Sequence, residues 1–458
     1  MFNQITASLW GDEGFSAILS MKPLPEIISI ISRDTSPPLW NIFEYLAFRL
    51  FGTGEVVIRT LAFIFFLGTV FFVYKIGSFL WSKKTGLLAA AFTFLNPFFF
   101  VYAFEGRMYS ILALGVTASM YFFLKIIKSE KKAKTADKVG YIAATLWAMY
   151  SHHFAIFALF IQGLWFAYEF VLGKRKNAVQ VFKSWIFVGI GYLPWVYPLY
   201  TQTKMVGGGF WLQTPSLKDL RNLIYDYLSE GIKTHPYILF GKTLHQLTLW
   251  LVLLTYVLRR WFKNFKDSLF LLSWFLGPIV LTWGVSQVFQ SIFFNRYLLY
   301  SIPPAMLLLA SQKRKISNIL LIGIAASFVL IDGFYFTHPT KLAFRDLATY
   351  VKQTQEQGDF IINWYSNGTH HIWETKYYGI GGPIYVPGEG NLPFFVGTAL
   401  MEKGDVIDKL PQNIGRVGVV TSGPVEEIAL PGYTKEEQRA FGSLKFVWYA
   451  PASNRVRE

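Results

Sequence analysis

An α-helical polytopic membrane protein of about ten spans, followed by a small extracytoplasmic α/β domain, is the fold class the sequence predicts. Three observations lead there. Hydrophobic residues make up 53% of the 458-residue chain and charged residues only 16%, with 44 Phe and a mean hydropathy of +0.35. Water alone cannot solvate that much apolar side chain, so lipid must be part of the solvent. Long apolar runs alternate with short loops in which Lys and Arg cluster, the positive-inside pattern of multispan proteins. From about Pro339 the pattern stops: charge, Gly and Pro rise, and short β-like runs appear.

Polar residues and proline interrupt residues 1–56, which read as a first external loop with short helices at 26–32 and 40–51. Spans follow at 57–80, 86–103 and 110–126. The first ends at Lys83-Lys84, and the third runs into a loop with Lys125, Lys128, Lys131, Lys132, Lys134 and Lys138; both are cytoplasmic by charge. Between that loop and Lys174-Arg175-Lys176 an even number of crossings is needed. Segment 139–172 therefore divides into two short helices meeting at Ser151-His152-His153 on the outer side. A span at 184–200 leads into an external loop, 201–240, and spans at 241–258, 268–288, 298–310 and 316–336 complete the set. Arg259-Arg260 with Lys263 and Lys266, then Lys313-Arg314-Lys315, close the remaining cytoplasmic loops, so both termini lie outside. Residues 1–338 form the transmembrane domain and 339–458 the α/β domain, with a helix at 344–355 and strands at 360–364, 384–386, 417–421 and 444–449.

The net charge of +15 is accounted for by these loops, which outranks a nucleic-acid reading. Without cysteine there is no disulfide framework, thiolate metal site or thiol nucleophile. The first residues are polar and lack a basic n-region, so no cleavable signal peptide is expected.

With that topology the notable polar groups fall together at the outer boundary: Asp12-Glu13, Asp34, Glu105, Arg107, Tyr109, His152-His153 and Asn295-Arg296-Tyr297. Ionisable groups at membrane depth are costly unless paired or facing a wet cavity, so the gathering marks a candidate site. Adjacent side chains diverge by about 100° on a helix; one carboxylate of Asp12-Glu13 is expected to enter the cavity while the other anchors the segment. Glu105 and Tyr109 are expected to share a helical face at i, i+4, with Arg107 pointing elsewhere and Gly106 permitting close backbone approach. The two histidines diverge in the same way, which favours one hydrogen-bonding or phosphate-contacting group and one structural group over a metal site. Arg296 reads as an anion contact or as an interfacial, snorkelling arginine.

Leu9-Trp10-Gly11-Asp12-Glu13-Gly14, then Arg33-Asp34-Thr35-Ser36-Pro37-Pro38-Leu39-Trp40, then Phe51-Gly52-Thr53-Gly54-Glu55-Val56-Val57-Ile58-Arg59-Thr60 resemble the GT-C glycosyltransferase superfamily. The branch they resemble is that of the protein O-mannosyltransferases and lipid A aminoarabinose transferases. Glu105-Gly106-Arg107-Met108-Tyr109-Ser110, Tyr150-Ser151-His152-His153 and Asn295-Arg296-Tyr297-Leu298-Leu299 fit its later landmarks, so the resemblance runs in order through most of the membrane region.

That resemblance implies a GT-C-like fold and an inverting enzyme of the plasma (inner) membrane. It would move a sugar from a polyprenyl-phosphate carrier to an acceptor glycan, lipid or protein at the extracytoplasmic face. It implies Asp12 as general base or acceptor-orienting carboxylate with Glu13 beside it, and Glu105, Arg107, Tyr109, His152, His153 and Arg296 lining the donor and phosphate pocket. No residue is assigned as a metal ligand; a divalent metal ion could neutralise the phosphate, as in oligosaccharyltransferase relatives, but no Asp-x-Asp pair stands ready to hold one. Relatives place a transmembrane helix before the Asp-Glu loop, whereas eleven residues precede Asp12 here. Asp34 also stands three residues before Pro37, where relatives often have Asp and a single residue before Pro-Pro.

The chemistry accounts for these residue types. Displacing a lipid phosphate from an anomeric carbon needs a base for the incoming hydroxyl and positive charge for the departing phosphate. One carboxylate suffices when no covalent sugar intermediate forms. A multispan transporter or lipid flippase is the competing reading. It calls for broken, polar helices near mid-membrane and pseudo-symmetric halves, whereas the charges here sit at one face.

Overall fold

The computed structural model describes residues 3–130, 132–173, 175–229, 236–240, 242–258, 265–311, 315–366, 368–388 and 392–452. Lys131, Lys174, Arg259, Arg260, Lys263, Lys313 and Arg314, all assigned to cytoplasmic loops, lie outside these, as does Gly241 at the start of one expected span. The chain forms two compact units: Met1–Asp34, Asn41–Ile58 and Pro339–Glu458 make one, Thr35–Trp40 and Arg59–His338 the other. This division differs from 1–338 and 339–458, because most of residues 1–58 group with the C-terminal segment.

In the helical unit and at its entry, four described helices are long and apolar enough to cross a membrane: Glu55–Leu80, Tyr109–Ile127, Phe265–Val288 and Asn318–Thr337. A fifth span arises if Lys83–Phe94 and Pro97–Ala103, bent by 66°, count as one. The bend has a local cause. Asn96 caps the second half by accepting the Phe99 N–H at 3.0 Å, and Pro97 follows at the first helical position, where its missing N–H costs nothing.

Segment 139–172 divides as expected, into Thr135–Ser151 and Ala155–Val171, with the histidine pair at the join. Gly115 lets the first of these approach Tyr109–Ile127 closely: a Cβ there would stand 2.8 Å from the Ala148 nitrogen. Segment 184–200 is realised as Arg175–Tyr192, a short 3-10 turn and Val196–Gly207. Loop 201–240 carries a helix, Leu217–Ser229, and strand β1 (Ile238–Leu239), which pairs antiparallel with β2 (Lys242–Thr243). The expected spans 241–258 and 298–310 appear as the shorter helices Leu244–Val257 and Ile302–Ala310, the latter preceded by a 3-10 stretch, Asn295–Ser301. By length and composition the described residues thus supply four to five spanning helices, against the ten expected.

The other unit is built on a six-stranded sheet: β3 (Phe360–Trp364), β4 (Ile384–Tyr385), β5 (Val406–Ile407), β6 (Val417–Thr421), β7 (Tyr433–Phe441) and β8 (Leu444–Pro451), in the order β5-β4-β3-β6-β8-β7. Strands β5, β4, β3 and β6 pair with one another in parallel, while β8 is antiparallel to both β6 and β7. Alternation gives the sheet two apolar faces. Ile361, Val420, Phe446 and Trp448 pack with Phe344, Leu347 and Val351 of helix Phe344–Thr354; Ile362, Val419, Val447 and Tyr449 form the opposite core. The same unit holds helices Gly11–Ser20 and Leu24–Ile31. Buried Glu44 binds the first of these by accepting the Ser16 and Ser20 hydroxyls at 2.8 and 2.7 Å, and Asn41 donates to the same two oxygens at 3.1 and 3.0 Å.

Candidate active site

Asp12 and Glu13 occupy the first turn of helix Gly11–Ser20 rather than a loop. Carboxylates there complement the positive end of the helix dipole. The two diverge: Asp12 is half-buried, whereas Glu13 is fully buried and its Oε2 faces Lys341 Nζ at 4.0 Å. The Lys341 ammonium also lies 4.7 Å from the Trp10 ring centroid.

The helix is held from several sides. Leu9 N–H donates to the Tyr378 hydroxyl at 2.8 Å, and that hydroxyl donates to Glu55 Oε1 at 2.8 Å. Arg345 reaches the same carboxylate at 2.6 Å and donates to Thr6 O at 3.0 Å. Phe15 meets Trp373 edge-on at 5.4 Å, and a Cβ on Gly14 would stand 3.0 Å from the Trp373 carbonyl carbon. Lys341, Arg345, Trp373 and Tyr378 were not marked by the sequence, because nothing in it pairs residue 12 with residues more than three hundred positions away. Their one local signal is a short helix, Ile372–Tyr377, which holds Trp373 and is followed directly by Tyr378. Asp34 is buried in this unit.

In the helical unit Glu105, Arg107, Tyr109, His152, His153 and Arg296 gather where helices end. Arg296 lies 5.5 Å from the Tyr109 ring and 4.8 Å from the Phe294 ring. Tyr297 links Tyr109 at 6.1 Å to His152 at 4.8 Å. Glu105, Arg296 and Asp226 all act electrostatically on the Tyr102 hydroxyl, and Arg107 and His153 act on His152. His153 Nε2 and Gln202 Oε1 are 2.7 Å apart, and Gln202 donates to Ser36 O at 3.3 Å. Ser36, just before Pro37-Pro38, is thereby tied to His153. Buried Gln202 carried no sequence signal, since a glutamine between two threonines reads as solvated.

One local expectation fails. Glu105 and Tyr109 do not share a helical face, because helix Pro97–Ala103 has ended and the next begins only at Tyr109. Arg107 N–H instead closes a tight turn on Glu105 O at 2.7 Å, with Gly106 between them. Both residues thus reach the cluster from a non-helical connection.

The histidines, which fall between helices Thr135–Ser151 and Ala155–Val171, are electrically neutral at neutral pH. Burial pushes the His153 imidazole down to about 4 against the opposing hydrogen bond of Gln202. Burial, then the charges of His153 and Arg107, hold His152 well below the usual range, and its Nδ1 accepts the Phe154 N–H at 3.1 Å. The positive charge of the cluster therefore belongs to Arg107 and Arg296. Among the described residues no three His, Cys, Asp or Glu side chains converge as metal ligands would.

The fold has a known counterpart. An oligosaccharyltransferase of Archaeoglobus fulgidus in its apo form aligns over 91% of this chain and 66% of its own, with a TM-score of 0.50 and 14% identity. The same archaeal enzyme in complex with an inhibitory peptide and a dolichol-phosphate aligns over 90% of this chain and 66% of its own, at TM-score 0.47 and 14% identity. ArnT from Cupriavidus metallidurans in the apo state aligns over 97% of this chain and 94% of its own, at TM-score 0.45 and 14% identity. No curated protein sequence matches. The family model described as dolichyl-phosphate-mannose-protein mannosyltransferase matches residues 35–200. The resemblance to the protein O-mannosyltransferase branch is borne out over residues 35–200, and the expected fold by the likeness to the archaeal structure.

Proposed function

We propose that this chain is an integral membrane glycosyltransferase. It takes a hexose or pentose from a polyprenyl-phosphate carrier and places it on an acceptor at the extracytoplasmic face of the plasma membrane. The observation that carries the reading is the gathering of Arg107 and Arg296 with Tyr109, Tyr297 and the neutral His152 where helices end, in a chain whose residues 35–200 match a family named for a lipid-phosphate sugar donor. Two guanidiniums among aromatic rings suit a phosphate: arginine is weakly hydrated, offers paired donors and stacks on ring faces.

In this reading Asp12 removes the proton of the acceptor hydroxyl. The oxygen attacks the anomeric carbon from the face opposite the phosphate, the carbon–oxygen bond to the carrier breaks, and the configuration inverts. Arg107 and Arg296 hold the charge that develops on the leaving phosphate, and low local dielectric strengthens that interaction. Glu105 and Tyr109 orient the arginines and the sugar, one histidine contacts donor oxygens, and Glu13 anchors the helix of Asp12 through Lys341. About ten crossings with both termini outside complete the topology.

The test is sugar transfer in isolated membranes from a radiolabelled polyprenyl-phosphate sugar. Asp12→Asn is expected to abolish transfer at unchanged protein abundance; full activity removes Asp12 from the mechanism. Mass spectrometry of cell-surface glycans and lipids with and without the gene identifies sugar and acceptor, and an unchanged surface sinks the reading.

A further inference from the structure

Away from these residues, a cavity of about 200 Å³ opens in the α/β unit, with Trp364, Ser366, His371, Thr421, Ser422 and Gly423 in its lining. Its position follows from the topology. Strand β3 has parallel neighbours on both sides, β4 and β6. The chain leaves β3 for β4 through helix Ile372–Tyr377, continues to β5, and only then returns to β6. The carboxyl ends of β3 and β6 therefore flank the point where strand order reverses, which is where open α/β sheets take ligands. Trp364 ends β3 and Thr421 ends β6.

Three side chains form a chain in that crevice. Ser422 Oγ lies 2.9 Å from His371 Nε2, and His371 Nδ1 lies 3.3 Å from Glu374 Oε1. His371 and Glu374 are buried, while Ser422, the first residue after β6, stays partly exposed. Glu374 Oε2 is buried without a hydrogen-bond partner among the described residues. A carboxylate left with spare capacity in a buried setting calls for a reason. Its other oxygen, Oε1, favours the Nδ1–H tautomer of His371, which leaves Nε2 to accept the serine proton. One turn of helix fixes the His371–Glu374 spacing, the Phe344 ring packs on the imidazole at 5.1 Å, and Lys445 Nζ, 2.9 Å from Gly423 O, brings positive charge to the turn after β6.

We propose that Ser422 is an activated nucleophile and that this crevice is an acyl-ester site, chemically separate from sugar transfer. Ser422 Oγ attacks the ester carbonyl as His371 Nε2 takes its proton. The acyl–oxygen bond breaks, and the alcohol leaves with the proton returned by His371. Water, deprotonated by the same imidazole, then releases the acyl group as a carboxylic acid and restores the serine. The volume suits a short acyl group such as acetyl.

Purified full-length protein in detergent is treated with a fluorophosphonate probe, which a nucleophilic serine attacks with loss of fluoride, and separately with p-nitrophenyl acetate. The expected results are a label on the peptide carrying Ser422 and acetate release that falls at least about 100-fold in Ser422→Ala and in His371→Ala. Ser422→Ala should unfold at the wild-type temperature. Folded wild-type protein that takes no label at Ser422, or a Ser422→Ala variant that hydrolyses the ester like wild type, overturns the proposal and leaves the three residues as a structural hydrogen-bond chain.

Discussion

Arg296 and Asp12 make the proposed mechanism testable one residue at a time. Arg296 sits over Tyr109 and Phe294 at the start of a 3-10 stretch. If it holds the donor phosphate, Arg296→Ala gives up charge-assisted hydrogen bonds of about 1.5–3 kcal/mol. The donor KM should then rise roughly 10- to 100-fold. Arg296→Lys should recover only part of this, because an ammonium lacks the planar pair of donors; a donor KM unchanged in both variants returns Arg296 to a snorkelling role. For the carboxylates the prediction is asymmetric. Asp12→Asn should cut turnover by about 100-fold or more, the usual worth of a general base, whereas Glu13→Gln, having lost its charge toward Lys341, should lower the unfolding temperature more than the turnover. Equal turnover losses in the two would contradict the division of labour between them.

Packing between elements explains what the sequence could and could not disclose. The apolar periods located the helices Glu55–Leu80, Tyr109–Ile127 and Phe265–Val288, and β-rich runs located β3, β6 and β8, because burial on one face or two leaves a repeat in the chain. Strand β7 escaped: Lys435, Glu436, Glu437 and Arg439 make it read as a solvated loop, and it is a strand only because β8 supplies its hydrogen bonds. The helix of Asp12 and Glu13 escaped for a similar reason, since its stabilising partners, Tyr378 and Trp373, come from the far end of the chain. Gly14 is where that packing is tightest. Gly14→Val must push a branched side chain against the Trp373 backbone, which should cost about 1–3 kcal/mol and lower the unfolding temperature of the purified protein; an unchanged value would mean the two helices part without cost.

Acid should act on the same unit through Asp359. Burial raises the Asp359 carboxyl, but the Arg416 hydrogen bond, the backbone N–H groups of Glu356 and Arg416 and the Arg416 charge together outweigh it and hold the folded-state pKa below the usual carboxylate range. A group depressed in this way stabilises the fold above its unfolded pKa, and that stability is lost as pH falls through the folded value. The wild-type unfolding temperature should therefore drop more steeply than that of Asp359→Asn as pH falls below about 4; parallel curves would refute it.

For the whole molecule, a chain without cysteine is a ready background for measuring topology. Lys84→Cys and Lys435→Cys each place one thiol at an exposed position. In intact cells a membrane-impermeant maleimide should label position 435 and spare position 84 until the membrane is opened. The reverse pattern would invert the assignment of every basic loop. The sheet adds a constraint on how copies of the protein can meet. One of its edges, β5, is two residues long; the other, β7, is charged and carries a register shift between Lys435 and Glu437. Short, charged and irregular edges are poor templates for a further strand. Two copies diffusing in one bilayer would find no seam along which their sheets could merge, so any lasting association between them must be made by other surfaces.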